Sequence, residues 1–216
     1  MTTEDALVRA ARDGDHQAFA ALVERYQRPV FSLAYRMLGD GDEAEEAAQE
    51  AFLRVYRALG AYDFRRPFST WLLSIAAHHC IDRLRRRPAR SMVPIDALPP
   101  WQQLTADAVD PEEDAIRSDE ADRVQAGLDR LPSDYRIVLV LRYWHDFGYA
   151  DIAALLGATE SAVKSRLHRA REQLAEILVA TRQGDAERGP GELSESAPTV
   201  ALEGGRHRWN AIAPAS

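Results

Sequence analysis

The sequence predicts an all-α protein. Two small helical units are expected, joined by an extended acidic linker and followed by a disordered C-terminal tail. Three observations carry this reading. Apolar residues recur at spacings of three and four through residues 5–87 and 119–180, with no sustained strand-like alternation. Between residues 88 and 117 that period is lost, and Pro88, Pro94, Pro99, Pro100 and Pro111 take its place. After Gly184 the chain carries Gly189-Pro190-Gly191, a serine-rich run and Gly204-Gly205, a composition that cannot bury a core. The expected boundaries are 1–90, 91–118, 119–182 and 183–216.

Each element has its own signal. Phe19, Leu22, Val23, Tyr26, Val30, Leu33 and Met37 mark one buried helical face. Pro29 interrupts that helix, where a kink is expected. Gly39-Asp40-Gly41-Asp42 breaks the pattern and supplies a cap. A second helix follows from about Glu43 to Leu59, with Ala44, Ala48, Ala51, Phe52, Val55 and Leu59 as its apolar stripe. Gly60 to Pro67 reads as a loop. A third helix, Ser69 to Arg87, buries Trp71, Leu72, Ile75, Ala76, His79 or Cys80, and Leu84, and Pro88 ends it. In the second unit Leu131-Pro132-Ser133-Asp134 restarts a helix, with Ser133 as the expected cap. Gly148 and Gly157 then punctuate two shorter helices.

Composition excludes several classes. The chain has 216 residues and 46% hydrophobic content, ordinary for a globular protein. No apolar stretch approaches the roughly 20 residues that span a bilayer. The N-terminus is acidic and is no secretory signal. Cys80 is the only cysteine, so an internal disulfide is impossible and a cysteine-based zinc site is not expected. These features predict a cytoplasmic protein with no cofactor and no metal.

A net charge of −7 looks hostile to nucleic acid. Its distribution says otherwise. Residues 1–90 carry 14 basic and 13 acidic side chains, and residues 125–182 carry 8 and 7. Residues 91–124 carry 2 and 9. The acid therefore gathers in the linker.

Residues Tyr149 to Lys164 have the shape of a helix-turn-helix. Ile152, Ala153 and Leu156 form the inner face of its first helix, Gly157 permits the tight turn, and Thr159 can cap the second helix. Val163, Leu167, Ala170 and Leu174 make the buried stripe. At about 100° per residue, Ser161, Ser165, His168 and Glu172 fall opposite, flanked by Lys164 and Arg169. All but Glu172 can donate to bases or phosphates, which suits a major groove. The alternative is a solvated polar face on a small bundle.

Asp40 to Glu50 holds six acids and no base. Such a run is either a solvated face or a docking surface. Gln49, Arg54 and Leu53, which lies off the apolar stripe, fit docking. Tyr62, Phe64, Phe68 and Trp71 lie close to Arg65 and Arg66, and Arg83, Arg85, Arg86, Arg87 and Arg90 follow. Aromatics beside arginines can stack unpaired bases and hold a backbone. Core packing with solvated arginines is the competing reading, and for Trp71 it is the favoured one.

Three stretches together resemble a known family. Gly39 to Arg57 resembles region 2.2 of the extracytoplasmic-function (group 4) sigma factors of the sigma-70 family. Phe68 to Arg87 resembles their regions 2.3 and 2.4, and Leu131–Tyr143 with Tyr149–Leu174 resembles region 4. The resemblance covers about residues 15–178. It implies a bacterial sigma factor that binds core RNA polymerase through its beta-prime and beta subunits and starts transcription of a specific, stress-response gene set. Gln49, Glu50, Leu53 and Arg54 would meet the beta-prime coiled coil. Tyr62, Phe64, Arg65 and Arg66 would capture a flipped −10 base, and His78, Asp82 and Arg83 would touch adjoining −10 DNA. Ser161, Lys164, Ser165, His168 and Arg169 would read the −35 element as duplex. The linker would thread toward basic channels of polymerase, and an anti-sigma factor is implied as a partner. The family often has Asn where His78 stands, and Gly-Thr where Ser161-Ala162 stands.

Two other functions compete. A helix-turn-helix regulator that never joins polymerase would bind duplex tightly alone. An enzyme could be read into His78-His79-Cys80 with Asp82. Successive helical residues point about 100° apart, so the three cannot converge on one atom. No phosphate loop or His-Glu-x-x-His is present, and catalysis is not expected.

Overall fold

The computed structural model describes residues 3–86 and 111–187, with side chains described for 3–86 and 120–181. Those residues form α-helices with one short 3-10 turn and, among them, no strand. The expected extended linker over 91–110 and the expected disordered tail over 188–216 lie outside the described residues.

The first unit is built around its longest helix. α1 (Thr3–Arg12) places Glu4 and Asp5 in its first turn and Arg9 and Arg12 in its last, each sign matching the helix dipole. α2 (His16–Leu38) starts where the Asp15 carboxylate accepts from the amides of Gln17 and Ala18, at 2.8 and 3.1 Å. Pro29 lies inside α2, and the helix continues past it to Leu38. Gly39 ends it at φ 75°, donating its N–H to the Tyr35 carbonyl at 2.8 Å. A left-handed residue at this position is normally glycine. Asp40 caps α3 (Gly41–Ala58) by accepting from the Glu43 amide at 2.8 Å. The helix therefore starts two residues before the expected Glu43. A 3-10 turn, Leu59–Ala61, opens the loop to α4 (Phe68–Arg86). Leu22, Leu33, Met37 and Leu72 are fully buried where α2 meets its neighbours.

In the second unit α5 spans Pro111–Asp129. This corrects the linker boundary, because residues 111–118 are helical. Proline at a first helical position lacks only an N–H that would stay unpaired there anyway, so Pro111 begins a helix here. α6 (Ser133–Tyr143) has Pro132 as its cap residue with no side-chain bond. Ser133 is already helical, a second correction. α7 (Tyr149–Leu156) ends at Gly157, φ 60°. α8 (Glu160–Glu187) starts with Thr159 Oγ1 accepting from the Ala162 amide at 3.2 Å, as expected. It runs past the 183 boundary, so residues 183–187 are helical and not tail.

α6 reveals how the units are placed. Ile137, Val138, Leu139, Val140 and Leu141 are all buried. Five consecutive helical side chains point in every direction around the axis, so this helix is covered on all sides. α7 and α8 cover part of it, and α2 and α4 of the first unit also pack on it. The two units are docked, which the sequence reading did not anticipate.

Candidate nucleic-acid interface

α8 rests on α6 and α7 through Val163, Leu167 and Ala170, all buried, with Leu174 half-buried below them. The opposite face is therefore forced outward. Ser161, Lys164, Ser165, His168, Arg169 and Glu172 are all exposed there. The Lys164 ammonium lies 5.4 Å from the centre of the Tyr149 ring, and the Arg142 guanidinium also lies 5.4 Å from it. Tyr149 thus gathers two cations beside the start of α8, favoured by its ring quadrupole. The sequence reading missed Arg142 and Tyr149, since they come from outside α8. His168 Nε2 lies 3.5 Å from the Glu172 carboxylate, an exposed pair one turn apart.

The loop before α4 is organised by an aromatic cluster. Tyr62 packs edge-on to Phe64 at 4.9 Å and to Phe68 at 5.6 Å, with Trp71 at 5.0 Å. Tyr62 is only 6% exposed, and its hydroxyl donates to the Arg66 carbonyl. Burial, then Asp5, Glu4 and Asp63, push that hydroxyl's pKa up. As the loop stands, Tyr62 shapes it from within and presents no free ring to a base. Phe64 is half-buried and Arg66 exposed. Arg65 is bound to Asp63 at 2.8 Å, and hydrogen bonds from Arg65 hold the Asp63 carboxyl below its usual range. The Arg9 guanidinium stacks 4.0 Å over Phe64, with Arg12 at 5.2 Å. These two α1 residues also escaped the sequence reading, because nothing in their spacing ties α1 to the loop. Trp71 is half-buried against the core, in line with its place on the apolar stripe.

On α4, His78 and Asp82 share an exposed face. His78 Nδ1 lies 2.7 Å from the Ser74 carbonyl. A carbonyl only accepts, so Nδ1 carries a proton, and in the neutral ring Nε2 is left as an acceptor facing outward. Arg83 instead crosses to α3, 3.2 Å from Glu46 and 3.8 Å from Glu43. Its charge is partly committed within the unit. His79 and Cys80 are buried. Burial, then Arg54 and Arg83, lower the His79 pKa. Burial pushes the Cys80 thiol up to about 12. The three residues of the His-His-Cys run thus face different surroundings, and no group of three or more metal-ligating side chains gathers among the described residues.

The outer face of α3 carries Gln49, Glu50, Leu53 and Arg54. Arg54 donates to Glu50 at 2.8 Å, a bond that lowers the Glu50 pKa, and Gln49 donates to Glu45 at 3.2 Å. Leu53 is 36% exposed. Tyr56 is exposed on the same side, with its ring against Phe19 at 4.9 Å. Its position seven residues after Gln49 and three after Leu53 could have marked it.

Comparison with known proteins places this arrangement. The profile of Sigma-70 region 2 matches residues 22–90, and that of Sigma-70, region 4 matches residues 121–174. The ECF RNA polymerase sigma factor SigW of Bacillus subtilis is 36% identical over 176 residues, covering 79% of this chain and 94% of SigW. The chain belongs to the extracytoplasmic-function sigma factors. The ECF RNA polymerase sigma-E factor of Escherichia coli K12 is 32% identical over 177 residues, covering 80% of this sigma factor and 92% of that one. CnrH, solved in complex with the cytosolic domain of CnrY, superposes with TM-score 0.60 at 27% identity, covering 83% of this chain and 99% of CnrH. The first unit of this sigma factor is thus region 2, and the second is region 4.

Proposed function

We propose that this sigma factor joins core RNA polymerase through Gln49, Glu50, Leu53 and Arg54 of α3, and that region 4 reads the −35 duplex through Ser161, Lys164, Ser165, His168 and Arg169. The loop with Phe64, Arg65 and Arg66 and the α4 face with His78 and Asp82 take the −10 strand. Tyr62 supports that loop, and Arg83 braces α4 against α3 beside it. The observation that carries the reading is that both family regions occur in order in one chain, each with its expected surface exposed. A stacked base contributes about 1–3 kcal/mol only once the duplex is open, so the −10 surface needs the polymerase-bound state. Such a factor acts in the cytoplasm, where polymerase and promoter meet, and performs no catalysis itself. No helix among the described residues is long and apolar enough to cross a membrane. An anti-sigma protein is a fitting partner, because the similar CnrH was solved with the cytosolic domain of CnrY bound.

Run-off transcription with purified core polymerase tests the reading. Stimulation on a promoter pool is expected, together with weak binding of the free chain to promoter duplex. Tight duplex binding by the chain alone, with no stimulation, would instead identify a regulator that does not join polymerase. Lys164→Ala or Arg169→Ala should lower −35-dependent initiation by about 1–3 kcal/mol, the worth of a base-reading contact. An equal loss on DNA lacking the −35 element would make them phosphate contacts.

A further inference from the structure

A helix leaves its last carbonyls without partners of its own. At the C-terminus of α2, region 4 supplies donors for them. Gln125 of α5, 2% exposed, points its amide at the Tyr35 and Arg36 carbonyls, at 3.4 and 3.5 Å. Arg136 of α6, 5% exposed, donates to the Met37 carbonyl at 2.5 Å while its other contacts, the Asp129 carboxylate at 3.0 Å and the Asp129 and Leu131 carbonyls, stay within region 4. A cation at this helix end is favoured by the dipole as well.

The contact is returned from the α2 side. The Arg36 guanidinium lies 4.4 Å over the Trp144 ring and 3.5 Å from Gln125 Oε1. Gly39 fits because it has no side chain, since a Cβ there would sit 2.5 Å from the Asp129 carboxylate. At the margin, Arg85 of α4 lies 3.8 Å from Asp134 of α6. Buried, hydrogen-bonded charge, a cation–π contact and the all-round burial of α6 act together across one seam.

We propose that this seam is an autoinhibitory latch, a closed state in which region 4 is held on the end of α2 and from which the chain cannot initiate. The proposal rests on the sigma-factor reading for what must be spanned. The −35 and −10 elements lie about 25 base pairs apart, ~85 Å at 3.4 Å each. A docked body of about 160 residues has a radius of gyration near 15 Å, hence a width of ~40 Å. The exposed faces of α8 and α4 are uncovered in the closed state, so the latch hides neither. It prevents both from reaching their elements at once. Binding to core polymerase, which engages the promoter over its whole length, opens the seam.

The test locks the seam at its exposed margin. Arg85→Cys with Asp134→Cys is treated with a short reducible bis-maleimide. Cys80, fully buried, stays out of the reaction. An intramolecular link should form readily in the free chain. The linked protein should give at least tenfold less run-off product with core polymerase than the same sample after reduction. In parallel, dyes on Ala20→Cys and Ala175→Cys, both exposed, should move apart by tens of ångströms when core polymerase is added. Failure to link within the free chain, full activity of the linked protein, or an unchanged dye distance in the polymerase complex each overturns the latch. If the cysteine pair is inactive even when reduced, the dye distance decides alone. Failure of the unsubstituted chain to stimulate run-off is a separate result, and it overturns the sigma-factor reading instead.

Discussion

Replacing Arg136 with methionine keeps most of its volume and removes its charge and all its donors. The structure sets the size of the effect. Four acceptors lose a partner: the carbonyls of Met37, Asp129 and Leu131 and the Asp129 carboxylate. Asp129 keeps a bond from Gln125 at 3.2 Å, and its side chain is 26% exposed, so water relieves part of the loss there. The Met37 carbonyl sits in the seam with the buried guanidinium. Removing one partner of a buried charged pair costs about 3–5 kcal/mol, and a single unsatisfied buried acceptor costs about 1–3 kcal/mol. With Asp129 partly solvated, a loss of about 3–4 kcal/mol is expected. For a chain of this size that lowers Tm by about 6–16 °C, at 2–4 °C per kcal/mol. Urea and thermal melts followed by far-UV circular dichroism measure it. Arg136→Met combined with Asp129→Leu should recover part of the loss, because no unpaired charge remains. A loss below about 1 kcal/mol, the range of a surface arginine, would refute the reasoning and place Arg136 outside any buried seam.

Three further outcomes follow from individual residues. Gly39→Ala should destabilise by at least about 1 kcal/mol in the same melts, because φ is 75° and the new Cβ would meet Asp129 at 2.5 Å. Cys80, buried with its thiol pKa near 12, should resist maleimide in the native protein at neutral pH and react fully in urea. His145 is held neutral, its pKa lowered to about 4 first by burial and then by Arg36, with Asp146 opposing. Above pH 6.5 it is neutral in both states and costs nothing. Between 6.5 and 4 the unfolded chain takes up the proton and the folded one does not, so stability falls as pH falls, by up to about 3 kcal/mol. His145→Gln should flatten that part of the stability profile, and an unchanged slope in pH-dependent urea melts would contradict the assignment.

Local patterns determined much of this protein. The spacing of Val163, Leu167 and Ala170 was enough to say that Ser161, Lys164, Ser165, His168 and Arg169 face outward, because a helix carries its sides in a fixed rotation. Gly157 and Thr159 located the turn for similar reasons, one by a left-handed φ and the other by a side-chain oxygen near an orphan amide. Leu53 stood out as an apolar residue off its stripe. Where two signals competed, local reading missed. Pro111 looked like part of a linker but opens α5, and Ser133 looked like a cap but lies inside α6. Tyr62 looked like a free ring beside arginines, yet Phe68 and Trp71 of the next helix enclose it. Tertiary structure alone decided which distant groups meet. Arg9 over Phe64, Arg36 over Trp144, and Arg136 on the Met37 carbonyl join residues with no periodic relation in sequence. The run from Ile137 to Leu141 signalled that α6 would be buried all round, but not by what. Period and capping act within a helix and can be read along the chain. The covering of an apolar helix depends on which other surface fits it, and that is settled only when the helices pack.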